Sequence, residues 1–219
     1  MENVQFKKED LRLYAVTDRR WIKRQTIEEV VEKAIRGGVT MVQLREKELD
    51  KNRFLQEAIA LRTLCHRYGI LLLINDDVEI CRLADADGVH IGQEDMEIHR
   101  ARGVLGDGKI IGVTVHNVIE AVHAQQAGAD YLGAGAAFGS ATKKDAHPIS
   151  RADYCNITAN VQIPVVAIGG ICAENVELLS GCGLSGAAVI SGIFAQRDIE
   201  QAARTMRKHC DAMWSERRK

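Results

Sequence analysis

The sequence predicts an α/β fold, a single (β/α)8 TIM barrel with its active site at the carboxyl ends of the strands. Eight short apolar runs alternate with amphipathic helical stretches, which indicates repeated βα units. The runs are apolar and β-branched, as strands buried on both faces should be. Polar signatures directly follow six of them, always at the carboxyl end, where this barrel carries its chemistry. Alternation alone would also fit a doubly wound sheet, and the count of eight units favours the barrel.

In chain order, the first half contains four predicted strands and four predicted helices. The strands cover residues 11–16, 40–44, 70–74 and 88–90, and the helices cover 26–36, 51–67, 78–84 and 97–104. Thr26 and Glu29 have the spacing of a capping box at the start of the first helix. Gly37-Gly38 ends that helix, as glycine commonly does.

The second half repeats this pattern. Its predicted strands cover residues 109–113, 131–133, 164–168 and 186–190, and its helices cover 117–127, 151–159, 174–180 and 199–209. Asn117 is the predicted N-cap of its helix. The longest irregular loop, residues 135–148, follows the sixth strand. No shift in composition marks a boundary, so we expect one domain over residues 1–219.

Composition restricts the partners and the compartment. The 219 residues include 29 basic and 30 acidic ones, so nothing electrostatic favours nucleic acid or an anionic membrane as partner. The six cysteines form no C-x-x-C pair, which indicates free thiols in a reducing compartment. Residues 1–10 are too charged for a signal peptide, and no apolar stretch reaches membrane-spanning length. We therefore expect a soluble, cytoplasmic protein with small-molecule partners.

Two aspartates, Asp76 and Asp95, follow the third and fourth predicted strands. A barrel brings both to the same rim, and two carboxylates without a Cys/His set suit a hard cation such as Mg²⁺. The alternative is that they are helix caps, with Asp76 or Asp77 capping one helix and Asp95 the next. Their spacing leaves both interpretations open.

Two cations, Arg45 and Lys47, follow the second predicted strand. Arginine offers a bidentate fork for phosphate, and lysine a compact charge beside it. The alternative is a solvated loop in which these cations pair with the acidic residues of the same segment, which are Glu46, Glu48 and Asp50.

Two glycine-containing loops predict a phosphate site. Gly169-Gly170 follows the seventh strand and Ser191-Gly192 the eighth, and these are the loops that hold phosphate in phosphate-binding barrels. Residues 140–144 in the long loop add hydroxyls, backbone N–H groups and a lysine as an anion cradle, although alone they make an ordinary polar loop.

Two histidines lie on predicted strands or at their ends. His90 fits a satisfied core residue as well as a functional one, whereas His116 at the end of the fifth strand favours a position on the rim. Cys/His metal spacing is missing, so a zinc site is not expected. No Ser-His-Asp or catalytic cysteine pattern is found.

Eight segments, taken in order, resemble the thiamine phosphate synthase family. They are Y-A-V-T-D-R (14–19), Q-L-R-E-K (43–47), N-D-D (75–77), D-G-V-H-I-G-Q-E-D (87–95), T-V-H (114–116), T-K-K-D-A (142–146), A-I-G-G-I (167–171) and V-I-S-G-I (189–193). The resemblance covers residues 11–194, and eight motifs in register make it specific.

The resemblance implies an alkyl-group transferase that joins 4-amino-2-methyl-5-hydroxymethylpyrimidine diphosphate to 4-methyl-5-(2-phosphoethyl)thiazole. Diphosphate leaves in a dissociative, Mg²⁺-assisted displacement, and thiamine phosphate forms. One Mg²⁺ per active site is implied, with Asp76 and Asp95 as ligands. The implied pyrimidine diphosphate residues are Gln43, Leu44, Arg45, Glu46, Lys47, Asn75, Thr114 and Lys143. The implied thiazole phosphate residues are Ser140, Ala141, Thr142, Gly170, Ile190 and Ser191. Arg45, Lys47 and Lys143 are the expected catalytic residues, because a departing polyanion needs cations.

The chain departs from the family pattern in the loop after the sixth strand. Ala136 stands where proline is usual, and Ser140 where threonine is usual. The hydroxyl is kept, but a loop with Gly139 and no proline has more entropy to lose on ordering.

Two other functions remain as alternatives. A thiazole tautomerase of the same superfamily would not need a metal-bound diphosphate, and a non-catalytic barrel would only bind a thiamine precursor. The sequence leaves the oligomeric state open, including a homo-oligomer.

Overall fold

Eight parallel strands form a closed barrel in the order of the sequence, so β1 pairs with both β2 and β8. The computed structural model describes residues 6–22, 24–139 and 148–214. The strands are β1 Leu13–Val16, β2 Met41–Leu44, β3 Leu71–Asn75, β4 Gly88–Ile91, β5 Ile110–Val115, β6 Tyr131–Gly135, β7 Val165–Ile168 and β8 Gly186–Val189. The predicted barrel is confirmed, and the doubly wound sheet is excluded.

Helices connect the strands and pack on the outside of the barrel. They are α1 Ile27–Arg36, α2 Lys51–Arg67, α3 Val78–Leu83, α4 Ile98–Leu105, α5 Val118–Gln126, α6 Arg151–Asn160, α7 Ser191–Phe194 and α8 Ile199–Trp214. The capping box of α1 is confirmed, since Thr26 Oγ1 accepts from the amide of Glu29 at 3.2 Å. Asn117 caps α5, as predicted, by accepting from the amide of Glu120 at 2.9 Å.

Three short elements differ from the prediction. The helix predicted over 174–180 is a single 3₁₀ turn, Val176–Leu179, and the four-residue helix α7 was not predicted. The first strand begins two residues later than expected because a 3₁₀ helix, Lys8–Leu11, precedes it. Segments of one turn are too short to show a helical period, so the sequence pattern could not identify them.

The strands divide the core into two layers. Outward side chains such as Leu13, Ala15 and Leu44 pack against the helices, whereas inward ones such as Tyr14 and Val16 fill the barrel. This alternation follows from the two-residue period of a strand. Because the interior narrows to packed side chains, only the carboxyl ends of the strands are free to form a cavity.

The described cysteines are all free thiols, as expected. Among the described residues, no helix is long and apolar enough to cross a membrane.

Candidate active site

A cavity of about 160 Å³ opens at the carboxyl ends of the strands. Its wall contains polar side chains from β2 to β5 and glycine-containing loops after β7 and β8. The predicted site residues that line it are Gln43, Arg45, Asn75, Thr114, Gly170, Ile190 and Ser191. Both halves of the predicted site therefore face one cavity.

The side-chain period of β2 decides which residues of the 43–47 segment reach this cavity. Gln43 points inward, whereas Leu44 is buried in the outer layer against the helices. The Leu44 side chain is thus a core residue and does not line the cavity.

Arg45 is held in place from the β1 side. The Thr17 hydroxyl accepts from the Arg45 amide at 2.9 Å, and the Arg45 guanidinium lies 3.6 Å from the buried carboxylate of Asp18. Burial opposes ionisation of Asp18, but hydrogen bonds from Arg20 and the charges of Arg20 and Arg45 lower its pKa overall. Asp18 therefore stays charged and fixes the Arg45 side chain at the edge of the cavity.

Glu46 is turned away from the cavity and ties the loop after β2 together. Its carboxylate accepts from the amides of Lys47 at 2.8 Å and Glu48 at 2.9 Å, and it pairs with Arg19 at 2.5 Å. Burial raises its pKa, but these hydrogen bonds and the charge of Arg19 lower it overall. Glu46 thus shapes the backbone that carries Lys47.

Lys47, Asp76 and Asp95 form a cluster of charged side chains beside the cavity. Lys47 Nζ lies 2.5 Å from Asp76 Oδ2, and Asp95 lies near the same carboxylate. The pKa of Asp95 is raised, first by burial and then by the neighbouring Asp76 carboxyl group. Asp76 has a φ of 63°, a left-handed conformation that aspartate tolerates better than most residues and that places it at the rim.

The structure excludes the helix-cap interpretation for Asp76 and Asp95. Asp77, not Asp76, caps α3 by accepting from the amide of Ile80 at 2.9 Å. Asp95 does not cap α4, whose N-cap is Glu97; its carboxylate accepts instead from the amide of Gly92 at 2.6 Å. Asp76 and Asp95 are therefore left as the facing pair.

The salt-bridged alternative for Arg45 and Lys47 names the wrong partners. Their nearest carboxylates are those of Asp18 and Asp76, which come from other strands. Asp50 caps α2 instead, accepting from the amide of Asn52 at 3.0 Å.

The loops after β6 and β7 approach each other closely at the opposite wall. Gly170 has a φ of +65°, and a Cβ there would lie 2.7 Å from the carbonyl oxygen of Gly139. The amides of Ala137 and Phe138 donate to the carbonyls of Ile168 at 2.9 Å and Gly169 at 3.0 Å. These contacts hold the first residues of the long loop beside the predicted phosphate site.

The predicted residues Ser140, Ala141, Thr142 and Lys143 lie outside the described residues. Among the described residues, no group of three or more histidine, cysteine, aspartate and glutamate side chains could hold a metal. A cation at this rim would accordingly take one or two carboxylates from the protein, as Mg²⁺ commonly does.

Sequence reasoning missed several residues of the site. Thr17 and Asp18 position Arg45, while Tyr14 and Tyr131 lie directly beneath the cavity and bond Gln43 and His90. The segment 14–19 contains Tyr14, Thr17 and Asp18, and the two-residue alternation of a strand would have placed the Tyr14 side chain inside the barrel. His90 is both buried and part of the cavity wall, so its position is compatible with either interpretation.

His116 lies at the cavity, as expected for a position after β5. Its ring Nδ1 lies 2.9 Å from Glu120 Oε2, and its amide donates to the same oxygen at 2.8 Å. Glu120 therefore orients the ring at the start of α5.

Comparison with known proteins gives a consistent result. The family model described as thiamine monophosphate synthase matches residues 13–193. A thiamine-phosphate synthase of Clostridium acetobutylicum is 46% identical, covering 94% of this chain and 95% of its own. One of Clostridium botulinum is 43% identical, covering 93% of this chain and 96% of its own.

A solved structure agrees with these relatives. The thiamine phosphate pyrophosphorylase from Pyrococcus furiosus is 36% identical, covers 94% of this chain and 98% of its own, and superimposes with a TM-score of 0.88. A 3-hexulose-6-phosphate synthase at 15% identity and a TM-score of 0.65, covering 90% of this chain and 98% of its own, shares the fold alone.

Proposed function

The chain belongs to the thiamine monophosphate synthase family and is a transferase that makes thiamine phosphate; from this premise we propose how its cavity performs the reaction. The two substrates are the aminopyrimidine diphosphate and the thiazole phosphate. The pyrimidine lies against the β2–β5 wall, and the thiazole phosphate against the loops after β7 and β8. Both sites open on one cavity, as two reacting molecules require.

Uncharged polar groups and two cations support the pyrimidine diphosphate site. Gln43, Asn75 and Thr114 line the cavity and can hydrogen bond to the pyrimidine and its linker. Arg45 lies at the edge of the same wall, and Lys47 lies beside it on the loop that Glu46 shapes. Positive charge is therefore concentrated where the diphosphate would lie.

Asp76 and Asp95 fit a magnesium site. Burial and the neighbouring Asp76 raise the pKa of Asp95, and a divalent cation between the two carboxylates would favour their charged forms. We propose one Mg²⁺ per active site, held by these two carboxylates. When bound, the ion would neutralise charge on the diphosphate.

The chain's own residues account for the remaining chemistry. The bond from the methylene carbon to the diphosphate oxygen breaks, and its electron pair leaves with diphosphate toward Arg45, Lys47 and Lys143. The amino group of the pyrimidine shares the positive charge left on the methylene. The lone pair of the thiazole nitrogen then forms the new C–N bond. That nitrogen carries no proton, so no general base is needed.

Backbone N–H groups and one hydroxyl support the thiazole phosphate site. Gly169, Gly170 and Ser191 line the cavity opposite the cations. The backbone of residues 138–139 can lie close to residue 170 because residue 170 is a glycine. Close backbone approach is how such loops bind phosphate. Ser140, Ala141 and Thr142 would complete this site.

The observation that carries the proposal is the single cavity lined both by the polar β2–β5 wall and by the glycine-containing loops after β7 and β8. The test is to mix both substrates with the protein and Mg²⁺ and to measure diphosphate and thiamine phosphate together. We expect equal amounts of the two products and no turnover in EDTA. Isomerisation of the thiazole without diphosphate release would indicate a tautomerase, and binding without any product a non-catalytic barrel.

A further inference from the structure

A chain of hydrogen bonds crosses the inside of the barrel beneath the cavity and joins two side chains of the cavity wall. Gln43 Nε2 donates to the Tyr14 hydroxyl at 2.6 Å, and that hydroxyl lies 3.0 Å from the Tyr131 hydroxyl. His90 Nδ1 lies 2.8 Å from the Tyr131 hydroxyl, and His90 Nε2 lies 2.9 Å from Thr114 Oγ1. We call these five residues the interior chain.

The interior chain is enclosed, so its hydrogen bonds are shielded from water. Tyr14 is 1% exposed and Tyr131 0%, while Gln43 and His90 are 2% and 5% exposed. An unmatched donor or acceptor at such a depth is costly, because water cannot replace the missing partner. Burial also raises the pKa of Tyr14 and Tyr131, so each phenol keeps its one hydrogen at neutral pH.

Two glycines make room for the rings of the interior chain. A Cβ at Gly112 would lie 2.1 Å from Cζ of Tyr131, and a Cβ at Gly133 would lie 3.0 Å from Cε1 of His90. Both glycines are on the neighbouring strands β5 and β6, facing into the barrel. Neither ring could occupy its position beside a larger residue.

One order of donors and acceptors gives every hydroxyl hydrogen between Tyr14 and His90 an acceptor within the interior chain. An amide nitrogen can only donate, so the Tyr14 oxygen accepts from Gln43. The buried Tyr14 hydrogen also needs an acceptor, and the Tyr131 oxygen is the one that the described contacts offer. The hydrogen of Tyr131 then goes to His90 Nδ1, which must be unprotonated to accept it. A neutral His90 therefore carries its proton on Nε2 and donates it to Thr114.

We propose that the interior chain sets the polarity of the cavity, with His90 as the neutral Nε2–H tautomer. Gln43 then presents its carbonyl oxygen to the ligand as an acceptor. The Thr114 oxygen accepts the hydrogen bond from His90 Nε2–H, so the Thr114 hydroxyl presents its own hydrogen to the ligand as a donor. Tyr14, Tyr131 and His90 are positioning residues that act through these two.

This polarity matches the pyrimidine diphosphate, and that part of the inference rests on the proposed function. The exocyclic amino group is a donor and needs the acceptor of Gln43. Ring nitrogen and diphosphate oxygens are acceptors and need the donor of Thr114. An analogue with an oxo group in place of the amino group would meet Gln43 oxygen to oxygen, and a polar site rejects such a mismatch strongly. The interior chain would thus determine specificity for the aminopyrimidine.

The tautomer is tested on the free protein, without substrate. The ¹⁵N resonances of the seven histidines are recorded at neutral pH, and those of His90 are identified by their loss in His90→Gln. We expect a protonated Nε2 and an unprotonated Nδ1 for His90. A proton on Nδ1, alone or with Nε2, would overturn the proposal. The result is independent of catalysis, so a failed activity assay and a failed polarity assignment can be told apart.

The effect on specificity is tested with Tyr131→Phe, which breaks the interior chain at its middle and keeps the ring. We expect KM for the pyrimidine diphosphate to rise about tenfold with little change in kcat, and discrimination against the oxo analogue to fall similarly, because one buried hydrogen bond is lost on each side of the gap. Tyr154→Phe is the matched control, since the buried Tyr154 donates to the carbonyl of Ala134 at 3.0 Å, outside the interior chain. Equal KM values and equal discrimination in both folded variants would contradict the specificity role.

Discussion

At the scale of single residues, the cations of the rim are positioned by carboxylates that come from different strands. Asp18 after β1 lies against Arg45 after β2, and Asp76 after β3 lies against Lys47. Each cation thus has a defined place without a substrate. Because less side-chain freedom is lost on binding, the charge is pre-organised for the diphosphate.

The two rim aspartates give the most direct residue-scale prediction. Asp76→Ala and Asp95→Ala should each lower kcat/KM by about 10²-fold or more, because the charge of the departing diphosphate is no longer neutralised. Initial rates of diphosphate release measure this. Asp77→Ala is the control: it removes the α3 cap, so it should lower stability by about 1 kcal/mol and leave the rates nearly unchanged. Full turnover in Asp76→Ala would refute the assignment.

A second residue-scale prediction concerns Arg45. Arg45→Ala should lower kcat and raise KM for the pyrimidine diphosphate, because both the charge and the bidentate fork are lost. Asp18→Asn should show a smaller loss of the same kind, since it keeps the cation but weakens its anchor. Steady-state kinetics with each substrate varied in turn separates the effects. If KM for the thiazole phosphate alone changed in Arg45→Ala, the role proposed for this residue would be wrong.

At the scale of elements, the cavity wall opposite Arg45 depends on two loops that touch, those after β6 and β7. The loop after β6 donates backbone hydrogen bonds to the end of β7, and Gly170 leaves no space for a side chain between them. The geometry of one loop therefore depends on the other. A substitution at Gly170 should consequently raise KM for the thiazole phosphate as well as lower the stability of the fold.

Gly170→Ala tests this coupling. The added methyl group would meet the carbonyl oxygens of Gly139 at 2.7 Å and Phe138 at 2.9 Å, so the loops must separate. We expect KM for the thiazole phosphate to rise roughly tenfold or more, in addition to the cost of about 1–2 kcal/mol for a left-handed alanine. Gly128→Ala is the matched control, with a φ of +95° and no heavy atom within 4 Å of the added Cβ.

Gly128→Ala should therefore lose stability from its backbone conformation alone, with unchanged kinetics. Unfolding midpoints and thiazole phosphate kinetics are measured on both variants. An unchanged KM in Gly170→Ala would show that the two loops are not coupled at the ligand.

At the scale of the whole molecule, buried carboxylates make the barrel sensitive to acid. In the folded protein the pKa of Glu46 lies below its ordinary value of 4.5. As the pH falls, Glu46 is therefore protonated in the unfolded chain before it is protonated in the folded one. The stabilisation is complete above the ordinary value and is lost as the pH falls through the lowered folded value. The free energy of unfolding should accordingly decrease below about pH 4.5.

Glu46→Gln should flatten this decrease, because the neutral amide does not titrate. Denaturant unfolding between neutral pH and the acid limit of the folded state measures the slopes of both proteins. Glu79→Gln is the control: the pKa of Glu79 is also lowered, first by a hydrogen bond to Arg82, but the pair is exposed and screened. Parallel curves for the parent protein and Glu46→Gln would rule out this source of acid sensitivity.

The sequence by itself determined the order of strands and helices, the caps of α1 and α5 and the family. These features depend on local periods and spacings: apolar runs, capping residues and glycines act on neighbours within a few positions. It also identified Asp76 and Asp95 as residues after strands, and a barrel brings such residues to one rim. The sequence did not predict helices of a single turn, such as α7, because they are too short to show a helical period.

Only the tertiary structure decided which of these side chains meet. The strand period puts Leu44 and Gln43 on opposite faces, but only the closed barrel makes the Gln43 face the inside and the Leu44 face the side against the helices. Tyr14 and Tyr131 are 117 positions apart, and their hydroxyls touch only because β1 and β6 close into the same barrel. Such contacts depend on register and closure, which combine all eight strands. No local pattern contains that information, so the hydrogen bonds beneath the cavity follow only from the folded chain.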